Sequence, residues 1–301
     1  MDIVISGASG LVGRSLSSYL KKNGHNIKQL VRKKTNDENE IYWNLEKSEI
    51  EIEKLENLDV IIHLAGENIA GKNPIQGRWT ESRKNEILNS RIKGTTLLSE
   101  SLNKLKNPPK VFISASAIGF YGSRGSEELT ETSSKGLGFL ADLCEKWENI
   151  PHEILKNKNI RIVNTRFGII LSKEGGALQA MLLPFKMGVG GILGNGKQYM
   201  SWIDIDDVIG SINHIINSNI SGKVNIVSPN PVDNYNYTKT LGKVLNRPTI
   251  FPVPALAINT VFGEMGIELL LSSQKVLPKV LIESGYNFIY PKLEESLKHT
   301  I

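Results

Sequence analysis

A β-branched run that stops on glycines and reopens as a helix constrains this chain more than any other stretch. IVIS (3–6) runs into GASGLVG (7–13), and LVGRSLSSYLKKNG (11–24) keeps helical spacing as far as Gly24. Three glycines at that spacing between a strand and a helix predict the first unit of a parallel α/β sheet with a phosphate-binding turn. Gly7 permits the tight turn, Gly10 lets the backbone approach a pyrophosphate, and Gly13 lets helix and strand pack closely. The N–H groups and dipole of the helix start favour phosphate. Gly7, Ala8, Ser9, Gly10, Leu11, Val12 and Gly13 are therefore candidate cofactor contacts.

The same alternation continues. NIKQLVRKK (26–34), DVIIHLAG (59–66), KVFISASA (110–117) and IRIVNTRFGIIL (160–171) read as strands. NSRIKGTTLLSESLNKLK (89–106) and GFLADLCEKWENIPHEILKNK (138–158) read as helices, the second with Phe139, Leu143 and Trp147 on one apolar face. The stretch 35–58 is polar, with NDENE most simply a solvated turn. Strands alternating with helices predict an α/β fold, a doubly wound parallel sheet with right-handed crossovers. After Leu171 the pattern turns glycine-rich and irregular, then short helices mix with proline joints. The expected division is a nucleotide-binding domain over 1–170, with 204–227 returning to it, and a smaller C-terminal, substrate-side domain from 171–203 and 228–301.

The end of the second strand selects the dinucleotide. An acidic residue there accepts a ribose 2′-hydroxyl, whereas arginine holds a 2′-phosphate by charge-assisted bonds. This chain has Arg32, Lys33 and Lys34 there, which predicts NADP (NADPH) over NAD. Leu64, Ala65 and Gly66 close the DVIIHLAG strand, and the last two are small enough for the adenosine half to pass. His63, inside that strand, reads as a packed core histidine.

Composition narrows the partners. A net charge of +5 comes from scattered lysines without an aromatic-basic stripe, so nucleic acid is not an expected partner. No apolar run approaches the roughly 20 residues of a membrane helix. The start, MDIVISGASG, reads directly into a strand without a signal segment, and the single cysteine, Cys144, suits a reducing compartment; a cytoplasmic protein is expected.

These segments together resemble a known family. GASGLVG, DVIIHLAG, RIKGTTLL, VFISASAIGFYG, TRFGIIL and WIDIDDV stand in the order of the extended short-chain dehydrogenases/reductases, the NAD(P)-dependent epimerase/dehydratase family. The tail from VPALAINTVFGEMG to PKLEESL, with RWTESRK, GFLADLCEKWE and GGILGNGKQYMSWIDIDD, is similar to an atypical, YfcH-type subgroup with a C-terminal domain of unknown function. The resemblance implies a Rossmann-type fold, a nicotinamide cofactor and a small-molecule substrate, and leaves a homodimer open.

It also implies a catalytic Ser, Tyr and Lys, with the lysine lowering the tyrosine pKa. Ser116 matches the serine. Aligned on the family helix, Gly138 falls at the tyrosine position and Asp142 at the lysine position, so the usual pair is missing. Two readings follow. In one, the chain is an oxidoreductase or epimerase with a relocated donor, for which Tyr121 is the candidate beside Ser116; Glu67, Arg91 and Arg166 are supporting polar groups at the ends of cofactor-lining elements. In the other, it binds NADP(H) without turnover. On the substrate side, Arg78, Trp79, Arg83, Tyr199 and Trp202 offer charge and stacking. The Asp204, Asp206 and Asp207 group reads as a helix start rather than a metal site, with no histidine accompanying it.

Overall fold

In a computed structural model, which describes residues 1–71 and 78–301, eight strands form one sheet in the order β12-β8-β6-β5-β1-β2-β3-β4. They are β1 (Asp2–Ser6), β2 (Asn26–Val31), β3 (Glu40–Asn44), β4 (Glu49–Ile50), β5 (Val60–His63), β6 (Val111–Ala117), β8 (Arg161–Phe167) and β12 (Gly222–Ile226). Every neighbouring pair is parallel except β3 with β4.

Both faces are covered, and the period-two pattern of the strands says why. Ile3 and Ile5 pack with Ile62, Ile113 and Val163 on one face, against Leu16 and Leu20 of helix α1 (Leu11–Lys22) and Ile212 and Ile215 of a helix over Ile205–Ile216. Val4, Ile61 and Phe112 point the other way, onto Leu98 and Leu102 of α2 (Glu81–Lys104). That second face also adjoins α3 (Phe139–Ile154), where Leu143 and Trp147 are buried and Phe139 meets Trp79 edge to face. Strands buried on both faces carry continuous apolar runs, as DVIIHLAG does. Chain order reverses at β1, with β2 on one side and β5 on the other, so a crevice opens beyond their carboxyl ends, where ligands bind in open α/β sheets.

Within the polar stretch 35–58 the fold adds two strands that its polarity does not show. There Ile41 and Trp43 are buried on strand β3, and β4 turns back on it. Partly buried Tyr42 stands between Ile41 and Trp43, so the five residues do not read as a clean apolar and polar alternation, and charged residues crowd both flanks. Helix α2 also starts eight residues earlier than its apolar pattern, because Thr80 caps it by accepting from the Arg83 N–H. Among the described residues no helix is long and apolar enough to cross a membrane.

Beyond β8, strand β9 (Ile169–Leu171) pairs with β11 (Trp202–Asp204), while helix 205–216 and β12 rejoin the sheet. A separate core gathers Leu171, Leu178, Trp202, Tyr237, Leu241 and Leu297.

Candidate functional site

The glycine turn is built to leave the start of α1 open. Gly7 has φ +69°, and a Cβ there would lie 2.9 Å from the Ala65 nitrogen. A Cβ on Gly13 would lie 2.2 Å from the Gly7 carbonyl oxygen, so turn and helix touch backbone to backbone. Gly10 is the N-cap residue; no side chain caps the helix, and its first turn holds no acid. The first N–H groups of a helix have no partner within the helix and are met by a capping side chain, water or a ligand. Here they fit a phosphate. Ala8 is buried, Val12 packs on the sheet core, Leu11 lies beside Gly175, and the Ser9 carbonyl is held by Arg14 at 2.9 Å. Leu64, Ala65 and Gly66 pass along the turn, with the Leu64 and Ala65 N–H groups donating to Ser6 Oγ. Arg32 and Lys33 are exposed at the end of β2, without a carboxylate partner among the described residues; Lys34 lies over the Tyr42 ring.

A buried polar chain supports this groove from beneath. Ser6 Oγ already accepts two backbone N–H groups, so its proton goes to His63 Nδ1 at 2.7 Å. That leaves Nε2–H to donate to Thr95 Oγ1 at 3.1 Å, which also accepts from Trp147 Nε1 at 2.8 Å. His63 is thus the packed core histidine that was expected. Burial, and secondarily the nearby Arg91 charge, lower its pKa from 6.5 to about 4. The folded value lies below the unfolded one, so this contribution is complete above pH 6.5 and is lost as pH falls toward 4. The gap is worth roughly 3 kcal/mol. Denaturant unfolding of wild type and His63→Gln between pH 7 and 4.5 checks it: the wild type should lose its advantage over this window, and a constant difference would refute it.

Ser116, Tyr121 and Arg166 do meet, but around a residue that the sequence reading missed. Glu148 on α3 accepts from Ser116 Oγ at 2.6 Å and from Arg166 through Nε and Nη2, both at 2.7 Å. The carboxylate and guanidinium are essentially inaccessible to solvent. Burial works against the Arg166 charge, yet Glu148 and Tyr121 outweigh it and the pKa goes up. The Tyr121 phenol accepts from Arg166 at 2.8 Å and donates to Asn225 at 2.7 Å. It is fully buried, and burial pushes it up to about 12. Phe120 stacks on the same guanidinium, 3.5 Å from ring centroid to Cζ. The Ser116 proton therefore points into the protein, and toward the groove the serine can only accept. The signal for Glu148 was faint: it lies four residues beyond Cys144 on the helix, among lysines and glutamates that are exposed.

The register of α3 also differs from the alignment. Gly138 precedes the helix at φ +110°, and Asp142 is exposed, ion-paired to Lys135 at 2.8 Å. The face toward the Ser116 strand carries Leu140, Cys144 and Glu148 instead, at helical i, i+4 spacing. Leu140 packs on Gly119. Burial, then Glu148, pushes the Cys144 thiol up to about 11, so it behaves as a packed, inert side chain.

Of the supporting groups, Glu67 is exposed and paired with Arg83 at 3.0 Å. Arg91 is half-buried over Gly66, with its guanidinium 5.2 Å from the Trp147 ring. It has no carboxylate partner among the described residues, and burial lowers its pKa.

The loop following β5 is tied to the C-terminal segment by Arg78 to the Thr260 carbonyl, and the first turn of α2 by Lys84 to Glu264; positions 72–77 of the loop lie outside the described residues. Trp79 and Trp202 are buried, their indole N–H groups donating to Ile69 and Asn230 carbonyls, so neither is open to stack on a ligand. Tyr199 carries Lys275 over its ring. Asp204 caps helix 205–216 as expected. His299 does accompany the aspartates, 3.0 Å from Asp206, contrary to expectation. The Asp204 oxygens are already taken by the Asp206 N–H, Ser296 and Thr300, and Asp207 accepts from Tyr286, Ile289 and Tyr290. These carboxylates fasten the C-terminal segment rather than present a metal-ligand set.

Comparison with known proteins agrees with this architecture. Residues 3–138 match the NAD dependent epimerase/dehydratase family, and residues 253–300 match a domain of unknown function, DUF1731. The chain is 38% identical over 307 residues to the epimerase family protein YfhF of Bacillus subtilis, covering 100% of this chain and 98% of that one. It is 33% identical to the epimerase family protein SDR39U1 of Homo sapiens, covering 100% of both. The crystal structure of human SDR39U1 (isoform 2) with NADPH superposes with a TM-score of 0.90 at 32% identity, over 100% of this chain and 99% of that one. Full-length identity above 30%, the matching fold and the open glycine turn give one conclusion: the chain belongs to the NAD-dependent epimerase/dehydratase family, within the epimerase family proteins that carry the C-terminal domain of unknown function.

Proposed function

We propose that this chain binds NADPH and acts on a small polar or nucleotide-linked carbonyl or carbinol without the Ser-Tyr-Lys proton relay of the wider family. The observation that carries the cofactor is the uncapped start of α1, walled by glycines where a Cβ has no room. The human relative crystallised with NADPH supports the same reading. In it, the α1 N–H groups bind the pyrophosphate, Arg32 binds the 2′-phosphate, and Arg91 offers charge to a phosphate or an anionic substrate group. When bound, the cofactor gives or accepts hydride. Residues 171–203 and 228–301 form the substrate-side domain, in a cytoplasmic setting that suits a buried free thiol.

Tyr121 is not the proton donor in this reading: its phenol has no open side, and its proton is held by Asn225. Ser116 orients ligand hydroxyls as an acceptor. The same two placements favour the second reading, NADPH binding without turnover. Single-turnover fluorescence against a panel of carbonyls and sugar nucleotides separates them: NADPH oxidation by any member supports catalysis, and tight binding with no oxidation supports the second. Arg32→Asp tests the cofactor itself. NADPH affinity should fall about 100-fold while NADH affinity changes by less than about threefold. Equal losses would overturn the assignment.

A further inference from the structure

Two stretches of the C-terminal part build an apolar face open to solvent. Leu183, Met187 and Val189 stand at the end of the helix Gly176–Lys186 and just past it, and Ile250 and Phe251 lie between Pro248 and Pro252; each is 53% to 70% exposed. The stretches run side by side. Arg247 Nε donates to the Lys186 carbonyl at 2.8 Å, the Val253 N–H to the Ile192 carbonyl at 2.8 Å, and the Gly194 N–H to the Val253 carbonyl at 2.9 Å. A Cβ on Gly191 would run into the Phe251 carbonyl oxygen, so the two backbones touch there. Single exposed apolar residues are ordinary; large ones gathered from stretches 61 positions apart mark a contact face.

The charge around this face has one sign. Residues 175–203 and 234–263 hold no aspartate or glutamate, and their cations are Lys186, Lys197, Lys239, Lys243 and Arg247. The whole chain has a net charge of +5, so these two stretches account for its excess of positive charge. Three of the cations border the apolar side chains. Lys186 precedes Met187, Arg247 is held on the Lys186 carbonyl, and Lys239 Nζ donates to the Thr249 carbonyl and Oγ1, both at 3.1 Å, beside Ile250. All three are exposed, and none pairs with a carboxylate among the described residues.

We infer that this face docks on an anionic lipid surface, its apolar side chains in the headgroup layer and Lys186, Lys239 and Arg247 against the phosphates. Apolar area buried at the acyl boundary, together with cations on anionic headgroups, is what holds a protein at a membrane interface. Two other occupants fit less well. A second copy in a twofold dimer would set this face on itself and bring its cations together. A folded partner binds through side chains seated in pockets; here each apolar side chain is more than half exposed and stands clear. The helix that ends in this face begins at Gly176, packed near Leu11 at the glycine turn. Docking face and nucleotide groove thus lie at opposite ends of one 11-residue helix, and the groove stays clear of the lipid.

The test is co-sedimentation of the full chain with vesicles of phosphatidylcholine alone and of phosphatidylcholine with about one-third phosphatidylglycerol, at about 0.1 M salt. The anionic vesicles should bind at least about tenfold more tightly than the neutral ones. Ile250→Ser with Phe251→Ser keeps every charge and should weaken that binding at least about tenfold, with the melting temperature unchanged because both side chains are exposed. Lys186→Gln with Arg247→Gln should weaken it about as much. Equal binding of the two vesicles, or of neither, would overturn the inference even if a variant does not fold. Unchanged binding by the Ile250→Ser, Phe251→Ser protein would also overturn it, as diffuse charge attraction alone. So would a lipid-free dimer, seen by analytical ultracentrifugation, that the same substitutions dissolve.

Discussion

Glu148→Gln should cost this protein about 3–5 kcal/mol of folding stability, because it leaves the Arg166 guanidinium charged, inaccessible and without its carboxylate. The substitution preserves shape, so packing loss contributes little. The remaining amide oxygen can still accept from Ser116 Oγ and Arg166 Nε, but an NH2 group replaces the oxygen that accepted from Arg166 Nη2 and sets donor against donor. Denaturant unfolding reads the stability; a loss under about 1 kcal/mol would show that the ion pair is not what holds β6, β8 and α3 together. The double substitution Glu148→Leu with Arg166→Met should recover most of the loss, since replacing both members of a buried pair removes the desolvation of both. Tyr121 keeps Asn225 as its acceptor in that variant.

Gly13→Ala should act on both stability and cofactor. The added methyl would sit 2.2 Å from the Gly7 carbonyl oxygen and 2.7 Å from Ala8 Cα, and neither is a side chain that can turn away. Helix α1 must then retreat from the turn, at about 3 kcal/mol of stability. Its N–H groups retreat with it, so NADPH should bind at least about 100-fold more weakly. Calorimetry for unfolding and fluorescence titration for NADPH measure the two effects. This pattern separates Gly13→Ala from Arg32→Asp, which changes an exposed side chain and should leave the melting temperature in place. A Gly13→Ala protein with unchanged NADPH affinity would argue against the turn as the phosphate site.

The sequence by itself determined the sheet and its cofactor edge. Gly7, Gly10 and Gly13 required a turn that few backbones make, and the runs around Ile5, Ile62 and Ile113 could only be buried parallel strands. These signals are local: each is carried by neighbours in the chain. Strand β3 was obscured because Tyr42 between its two buried positions, Ile41 and Trp43, blurs the alternation, and the short strand is flanked on both sides by charged and turn-forming residues. The interior of the site depended on longer range. Glu148 and Arg166 are 18 positions apart, and Tyr121 and Asn225 are 104. No spacing rule links residues so separated, and a glutamate on a helix reads as solvated until its partner is placed. Only the tertiary structure decided that the Ser116 proton turns inward and that Tyr121 is sealed, because each follows from which groups packing removes from water.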